Sequence, residues 1–221
     1  MAPRVITPPE VWGVGQFTVG DERVNWELSA DETMRDGASA AGHLRALGVQ
    51  PSEGVLFTSM LSEAPHFYPL FMGSLMVGAQ LSLADATPFD AYRTAMFLRT
   101  VDYRAVLGIN TDVLNGLEDM GLELRDCFAK VPVLCARPAA AARLQDGGLV
   151  ANRFLLLGPA LAIEASPGEG LRVDPELWDV GVDDGELVVT NLTPRRQRFE
   201  RQRTGVRGSV RIDGELQLVE L

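Results

Sequence analysis

Between Met34 and Leu157, short apolar runs alternate with stretches whose apolar residues recur every three or four positions, and this alternation constrains the fold more than any other feature. Met34, Ala38, Ala41, Leu44 and Leu47 form one helical stripe, and Gly48 follows as a stop. Val55–Met60 reads as a buried strand, Pro65–Val77 as a helix burying Phe67, Leu70, Phe71 and Leu75, and Ala79–Leu83 as the next strand. Thr87, Pro88 and Asp90 open a further helix that carries Phe89, Tyr92 and Met96. Ala105–Ile109 is a strand, and Asn110 caps a helix over Thr111–Met120. Further helical turns are expected within Leu122–Phe128, then a strand over Val131–Cys135, a helix over Pro138–Leu144 and a strand over Phe154–Leu157. Strands joined through helices at this spacing require a mostly parallel sheet with flanking helices.

The flanks have another texture. Residues 1–33 are rich in turn formers, among them Pro8, Pro9 and Gly13, with strands at Gln16–Val19 and Arg23–Leu28 around Gly20–Asp21. The glycines of GVGQFTVG are hairpin glycines rather than a phosphate cradle, because no helix follows them directly. After Pro159 come short strands at Leu171–Val173, Trp178–Val182 and Glu186–Asn191. Asp183-Asp184-Gly185 and Asp213-Gly214 mark hairpins, the second joining Val210–Ile212 to Glu215–Val219. The expected fold class is therefore α/β, followed by a small antiparallel β subdomain. Its divisions are 1–33, a β/loop segment; 34–159, the α/β domain; and 160–221, the β-rich subdomain.

Composition excludes several functions. A net charge of −10 disfavours binding to nucleic acid, which needs a basic face to displace counterions. No apolar run reaches the ~20 residues of a membrane span, and MAPRVITPPEVW lacks the apolar core of a secretory signal, so a cytoplasmic protein is expected. Cys127 and Cys135 have neither C-x-x-C nor zinc spacing, and neither histidine has a partner at metal-ligand spacing, so no metal site is expected. No serine lies in a G-x-S-x-G elbow.

One block is specific. Gly185 to Gly208 reads GELVVTNLTPRRQRFERQRTGVRG. Gly185, Glu186, Leu187, Val188 and Thr190, the pair Leu192–Thr193, and Arg201, Arg203, Thr204 and Gly205 resemble, without a gap, a segment of the adenylate-forming acyl-CoA synthetases, most of all phenylacetate–CoA ligases. GPALAIEA followed by GLRV is similar to a second stretch of that family, and looser likenesses extend the match from about Ser39 to Gly208. The resemblance implies that Arg201, Arg203, Thr204 and Gly205 belong to a cofactor-binding segment, and that Gly158 and Glu164 lie at a ligand site. Glu164 is expected as a structural carboxylate bonded to backbone amides. Arg195, Arg196, Arg198, Arg201, Arg203, Arg207 and Arg211 form a basic cluster, expected to pair with nearby carboxylates, the alternative being a dock for a phosphate-bearing ligand such as CoA or for an acidic partner.

The same resemblance exposes departures. The family Asp that holds the nucleotide ribose is Val206, and the family Tyr is Gln202. No stretch has the Ser/Thr/Gly/Lys composition of the family's phosphate loop, and 151–157, where a magnesium-side Glu belongs, reads ANRFLLL. The only lysine is Lys130, and the chain ends at Leu221 before the domain that delivers the family's catalytic lysine. The expectation is a truncated relative with no catalytic residue of its own, binding neither ATP nor magnesium, with CoA or an acyl group as ligand. It would act as a ligand-binding or partner subunit, as a homo-oligomer or within a larger enzyme. The alternatives are an acid–CoA ligase completed in trans and a structural homo-oligomeric module.

Overall fold

The structure, a computed structural model, describes residues 10–219; Pro8 and Pro9 lie outside them. Its elements in order are β1 (Gly13–Val19), β2 (Glu22–Leu28), α1 (Ala30–Ala46), β3 (Gly54–Ser59), α2 (Ala64–Val77), β4 (Gln80–Asp85), α3 (Ala91–Thr100), β5 (Tyr103–Ile109) and α4 (Thr111–Asp119). There follow α5 (Leu124–Phe128), β6 (Val133–Ala136), α6 (Pro138–Asp146), β7 (Asn152–Leu157), β8 (Ala160–Ile163), β9 (Arg172–Val173), β10 (Trp178–Asp183), β11 (Glu186–Asn191), β12 (Gln202–Val210) and β13 (Leu216–Leu218).

The central sheet has the order β4-β3-β5-β6-β7-β8-β9, parallel from β4 through β7 and antiparallel thereafter. A second sheet is antiparallel, β10-β11-β12-β13, and β1-β2 is a separate hairpin. The expected mostly parallel α/β sheet and the antiparallel sheet after it are both present. Strand pairing continues the central sheet through 160–173, so the separate antiparallel sheet begins at Trp178.

Both faces of the inner parallel strands β3 and β5 are covered, which is why they read as unbroken apolar runs, unlike the edge strand β4. Val55 and Phe57 of β3 pack with Ala41 and Leu44 of α1 and Phe67 and Leu70 of α2. Leu56 points the other way, into a cluster with Leu114 and Leu117 of α4 and Ala141 and Leu144 of α6. A third cluster, with Phe17, Trp26, Leu157, Trp178, Leu187, Phe199 and Val206, joins the hairpin and the second sheet to β7–β8. Helix starts follow side-chain caps: Ser29 accepts from the Glu32 N–H, Thr87 from Asp90, and Asn110 from Val113 at 2.9 Å.

The expected stripe of α1 holds at Ala41, Leu44 and Leu47 but not in the first turns. Met34 and Ala38 are exposed, and Glu32, Thr33, Asp36 and Gly37 are buried instead. The reason is Arg195, whose side chain is fully buried against this face, with Nη1 2.6 Å from Asp36 Oδ2 and 3.9 Å from Glu32 Oε1. Helices α1 and α2 also approach closely: a Cβ at Gly73 would stand 2.7 Å from the Ala41 backbone nitrogen. Leu75, expected inside, is exposed on the far side of α2. Two strands lay hidden in the sequence, β8 and β12. In β12 the residues Thr204, Val206 and Gly208 alternate inward between exposed Arg203, Gly205 and Arg207.

Candidate functional site

The strand order places a topological switch between β3 and β5. From β3 the chain passes through α2 to β4 on one side, then through α3 back to β5 on the other. Open α/β sheets bind ligands in the crevice at the carboxyl ends of strands, at such a switch. Here Glu63, just after β3, meets Arg137, just after β6, across the end of β5. Arg137 Nη2 lies 2.8 Å from Glu63 Oε1 and 2.7 Å from Oε2, and Oε2 also accepts the Met60 N–H at 3.2 Å.

A cleft of about 420 Å³ opens beside this pair. Gln16, Thr18 and Arg23 of the hairpin wall one side, and Ser62, His66 and Gly158 are among the residues that wall the other. Arg23 is exposed and has no carboxylate partner among the described residues, and Arg137 Nε is buried without a hydrogen bond. The cleft therefore presents two guanidinium groups, one of them already tied to a carboxylate.

His66 is 3% exposed and closes the cleft floor. Its Nε2 is 2.8 Å from the Gly158 carbonyl oxygen, which can only accept, so Nε2 carries the proton. Burial lowers the ring's pKa to about 4 against the opposing pull of that carbonyl, and the imidazole is neutral at neutral pH. The histidine is thus a buried, neutral group.

Of the residues singled out in the sequence, Gly158 alone lines the cleft. Thr204 stands against it: a Cβ on Gly158 would be 3.3 Å from Thr204 Cγ2. Thr204 donates its hydroxyl to the Leu187 carbonyl at 2.8 Å and accepts the Val206 N–H at 3.2 Å. Gly205, at φ +74°, packs on the β1–β2 turn so closely that a Cβ would strike the Gly20 backbone nitrogen, and its N–H donates to Glu186 Oε1 at 2.7 Å. Arg203 binds the other oxygen of Glu186 at 2.9 Å, and Arg201 pairs with Asp183 at 3.2 Å on the outer surface. Val206 is 7% exposed within the third cluster.

Glu164 follows the far end of β8, about 13 Å along the strand from Ala160 and away from the cleft end where Gly158 sits. It is buried, and it accepts from the Arg153 N–H (2.8 Å), the Arg153 guanidinium, and the Gly168 (2.9 Å) and Gly170 (3.2 Å) N–H groups. Burial works to raise its pKa, but the bonds from Arg153 and Gly170 prevail and hold it below the usual carboxylate range. Most of the basic cluster is likewise paired, Arg195 with Asp36, Arg196 with Glu27, Arg198 with Glu200 and Arg211 with Asp213 and Glu215, while Arg207 has no carboxylate partner among the described residues.

Sequence reasoning missed Glu63, Arg137 and Arg23. The available signal was positional: Arg137 directly follows a buried strand and precedes the proline that starts α6, which is the carboxyl-end location where α/β sheets carry ligand-binding groups. Among the described residues no group of three or more His, Cys, Asp or Glu side chains is placed to hold a metal ion, and no helix is long and apolar enough to cross a membrane.

No protein-family model and no curated protein matches the sequence. Solved structures do match in fold. A 2-hydroxyisobutyryl-CoA ligase in complex with 2-HIB-AMP and CoA superposes with a TM-score of 0.72 at 14% identity, covering 95% of this chain and 56% of that one. The N-terminal subdomain of Klebsiella oxytoca NpsA gives 0.65 at 12%, covering 97% and 64%. A long-chain-fatty-acid CoA ligase described as putative, from Rhodopseudomonas palustris, gives 0.58 at 14%, covering 94% and 58%. The chain has the fold of the adenylate-forming acyl-CoA ligases and spans about half the length of the first of these structures.

Proposed function

We propose that the chain binds an acyl- or CoA-type ligand in the cleft at the carboxyl ends of its parallel strands, without adenylating it. The observation that carries this reading is the pairing of Arg23 and Arg137 around a 420 Å³ space at the switch point. Guanidinium groups match carboxylate and phosphate geometry, and both chemistries occur in acyl-CoA and its precursors. The 2-hydroxyisobutyryl-CoA ligase of the same fold holds an acyl adenylate and CoA.

The polar groups of the resembling segment support binding without nucleotide chemistry. Arg203 and the Gly205 N–H are satisfied by Glu186, Thr204 by Leu187, and Val206 offers a ribose no acceptor. Phosphoryl and nucleotidyl transfer depend on charge neutralisation and positioning, and these groups supply neither. Cys127 and Cys135 are unpaired, in keeping with a cytoplasmic setting.

Calorimetric titration with a short-chain acyl-CoA, in the absence of nucleotide, tests the reading. Saturable heat is expected, and Arg23→Ala should weaken binding roughly tenfold, the effect of one charged hydrogen bond. Heat that fails to saturate for acyl-CoA, CoA and free acid alike would remove it.

A second reading, association with another copy or subunit, has its own support. Phe89 is 97% exposed, and Tyr92 and Met96 of α3 and Leu83 on the edge strand β4 are also exposed. Contiguous exposed apolar surface marks contact sites.

A further inference from the structure

A second cavity lies on the other side of His66, between α1, α2 and β8, and the cleft reading does not use it. The cavity measures about 60 Å³, room for about four water-sized groups. Trp26, which does not line the cleft, is 2% exposed here, and its Nε1–H has no hydrogen-bond acceptor. His66 Nδ1 is equally buried and has no donor. The two rings meet edge to face with centroids 5.3 Å apart, so the unsatisfied donor and the unsatisfied acceptor belong to one end of one cavity. Leaving both unmade costs free energy that a matching group would recover.

The chemistry of that group follows from its surroundings. With Nε2–H committed to Gly158, Nδ1 can only accept, and the neutral ring offers no charge to an anion. The two carboxylates on the wall are engaged: Asp36 by Arg195, and Asp174 by the Ser39 hydroxyl with His43 3.8 Å away. These pairings leave the wall no unmatched carboxylate to hold a cation, and Arg172 at the mouth is already paired with Asp213, so an anion finds no free guanidinium there either. A hydroxyl group both donates and accepts, which matches Nδ1 and Nε1–H together. The remaining wall is largely apolar, with Leu70, Leu161 and Ile163, and half-exposed His43 and Arg172 mark the mouth.

We infer that this cavity between α1, α2 and β8 is a binding site for a small uncharged molecule carrying a hydroxyl group on a short apolar body, recognised by Trp26 Nε1–H and His66 Nδ1. It is separate from the acyl cleft, and a resonance of Trp26 reports on it alone.

The test is a titration of the ¹⁵N-labelled full chain with propan-1-ol, followed through the Trp26 indole N–H and the His66 ring nitrogens. Saturable shifts of both signals are expected, with acetate producing neither. Trp26→Phe, which keeps an aromatic ring and removes the donor, should weaken propanol binding about fivefold, the range of one neutral hydrogen bond. Shifts that grow linearly with propanol without saturating, or a cavity that exchanges magnetisation with water and ignores propanol, would overturn the inference. So would saturation by acetate at the same resonances. The wild-type titration decides the matter even where the Trp26 variant fails to fold.

Discussion

Arg195 holds Asp36 at 2.6 Å across 159 residues of sequence, its guanidinium carbon 4.3 Å from the ring centroid of Trp178 and its side chain wholly out of solvent. This pair ties the first helix to the loop between β11 and β12. It is joined by further polar links from α1, the Arg196 N–H to Glu32 and Ser39 to Asp174. Removing one member leaves an uncompensated buried charge, at a cost of about 3–5 kcal/mol. Arg195→Ala and Asp36→Asn should each lower the unfolding free energy from urea denaturation by that order, and the double variant should cost clearly less than the sum. Additive losses would mean that the pair is not coupled.

Gly205→Ala should destabilise by about 1–3 kcal/mol through its positive φ alone, and by more because the added carbon meets the Gly20 backbone. The hairpin that must yield carries Arg23, so acyl-CoA affinity should fall with stability. Denaturation and calorimetry on the same variant check both. An unchanged midpoint would show that the hairpin is not pinned there.

The pH dependence has two windows. His66 titrates near 6.5 when unfolded but only at about 4 when folded. Between these values the unfolded chain binds the extra proton, so stability falls as pH drops from 6.5 to 4. His66→Asn should remove that slope. Asp174 is held at about 2, first by His43 and then by Ser39 and the Glu176 N–H, against burial. Its contribution is present above the unfolded value of about 4 and is lost as pH falls towards 2. Asp174→Asn should flatten that lower limb. Chemical denaturation at fixed pH steps measures both, and a histidine slope unchanged in His66→Asn would refute the assignment.

Phe89→Ser with Tyr92→Ser replaces exposed side chains and should leave stability within about 0.5 kcal/mol. Light scattering over a concentration series should show the native chain gaining mass and the variant remaining monomeric. A native chain that stays monomeric throughout would remove the association reading.

These predictions draw on features of unequal legibility in the sequence. The inner parallel strands could be read because burial on both faces makes them continuous apolar runs, as in Val55–Phe57 and Ala105–Leu107. Asn110 and Thr87 announced their helices through local hydrogen bonds three residues long. The stripe of α1 was read correctly at Ala41, Leu44 and Leu47 but not at Met34 and Ala38, because Glu32 and Asp36 face inward only when Arg195 is there to meet them. Strand β12 carries arginines and two glycines, so its alternation is hidden by small inward residues. The cleft is assembled by contacts between distant residues: Glu63 meets Arg137 74 residues on, and His66 meets Gly158 92 residues on. Residue types gave no hint of these meetings, and the Gly185–Gly208 block drew attention to a segment whose polar groups bind one another.

The central claim is that this fold keeps a ligand cleft while the grip on a nucleotide is lost, and direct titration with Mg-ATP tests it. Equilibrium dialysis with labelled ATP should give no saturable binding up to millimolar concentrations, under conditions where acyl-CoA saturates the same preparation. Micromolar, magnesium-dependent ATP binding by this chain would contradict the account and favour a ligase whose remaining catalytic parts come from another chain.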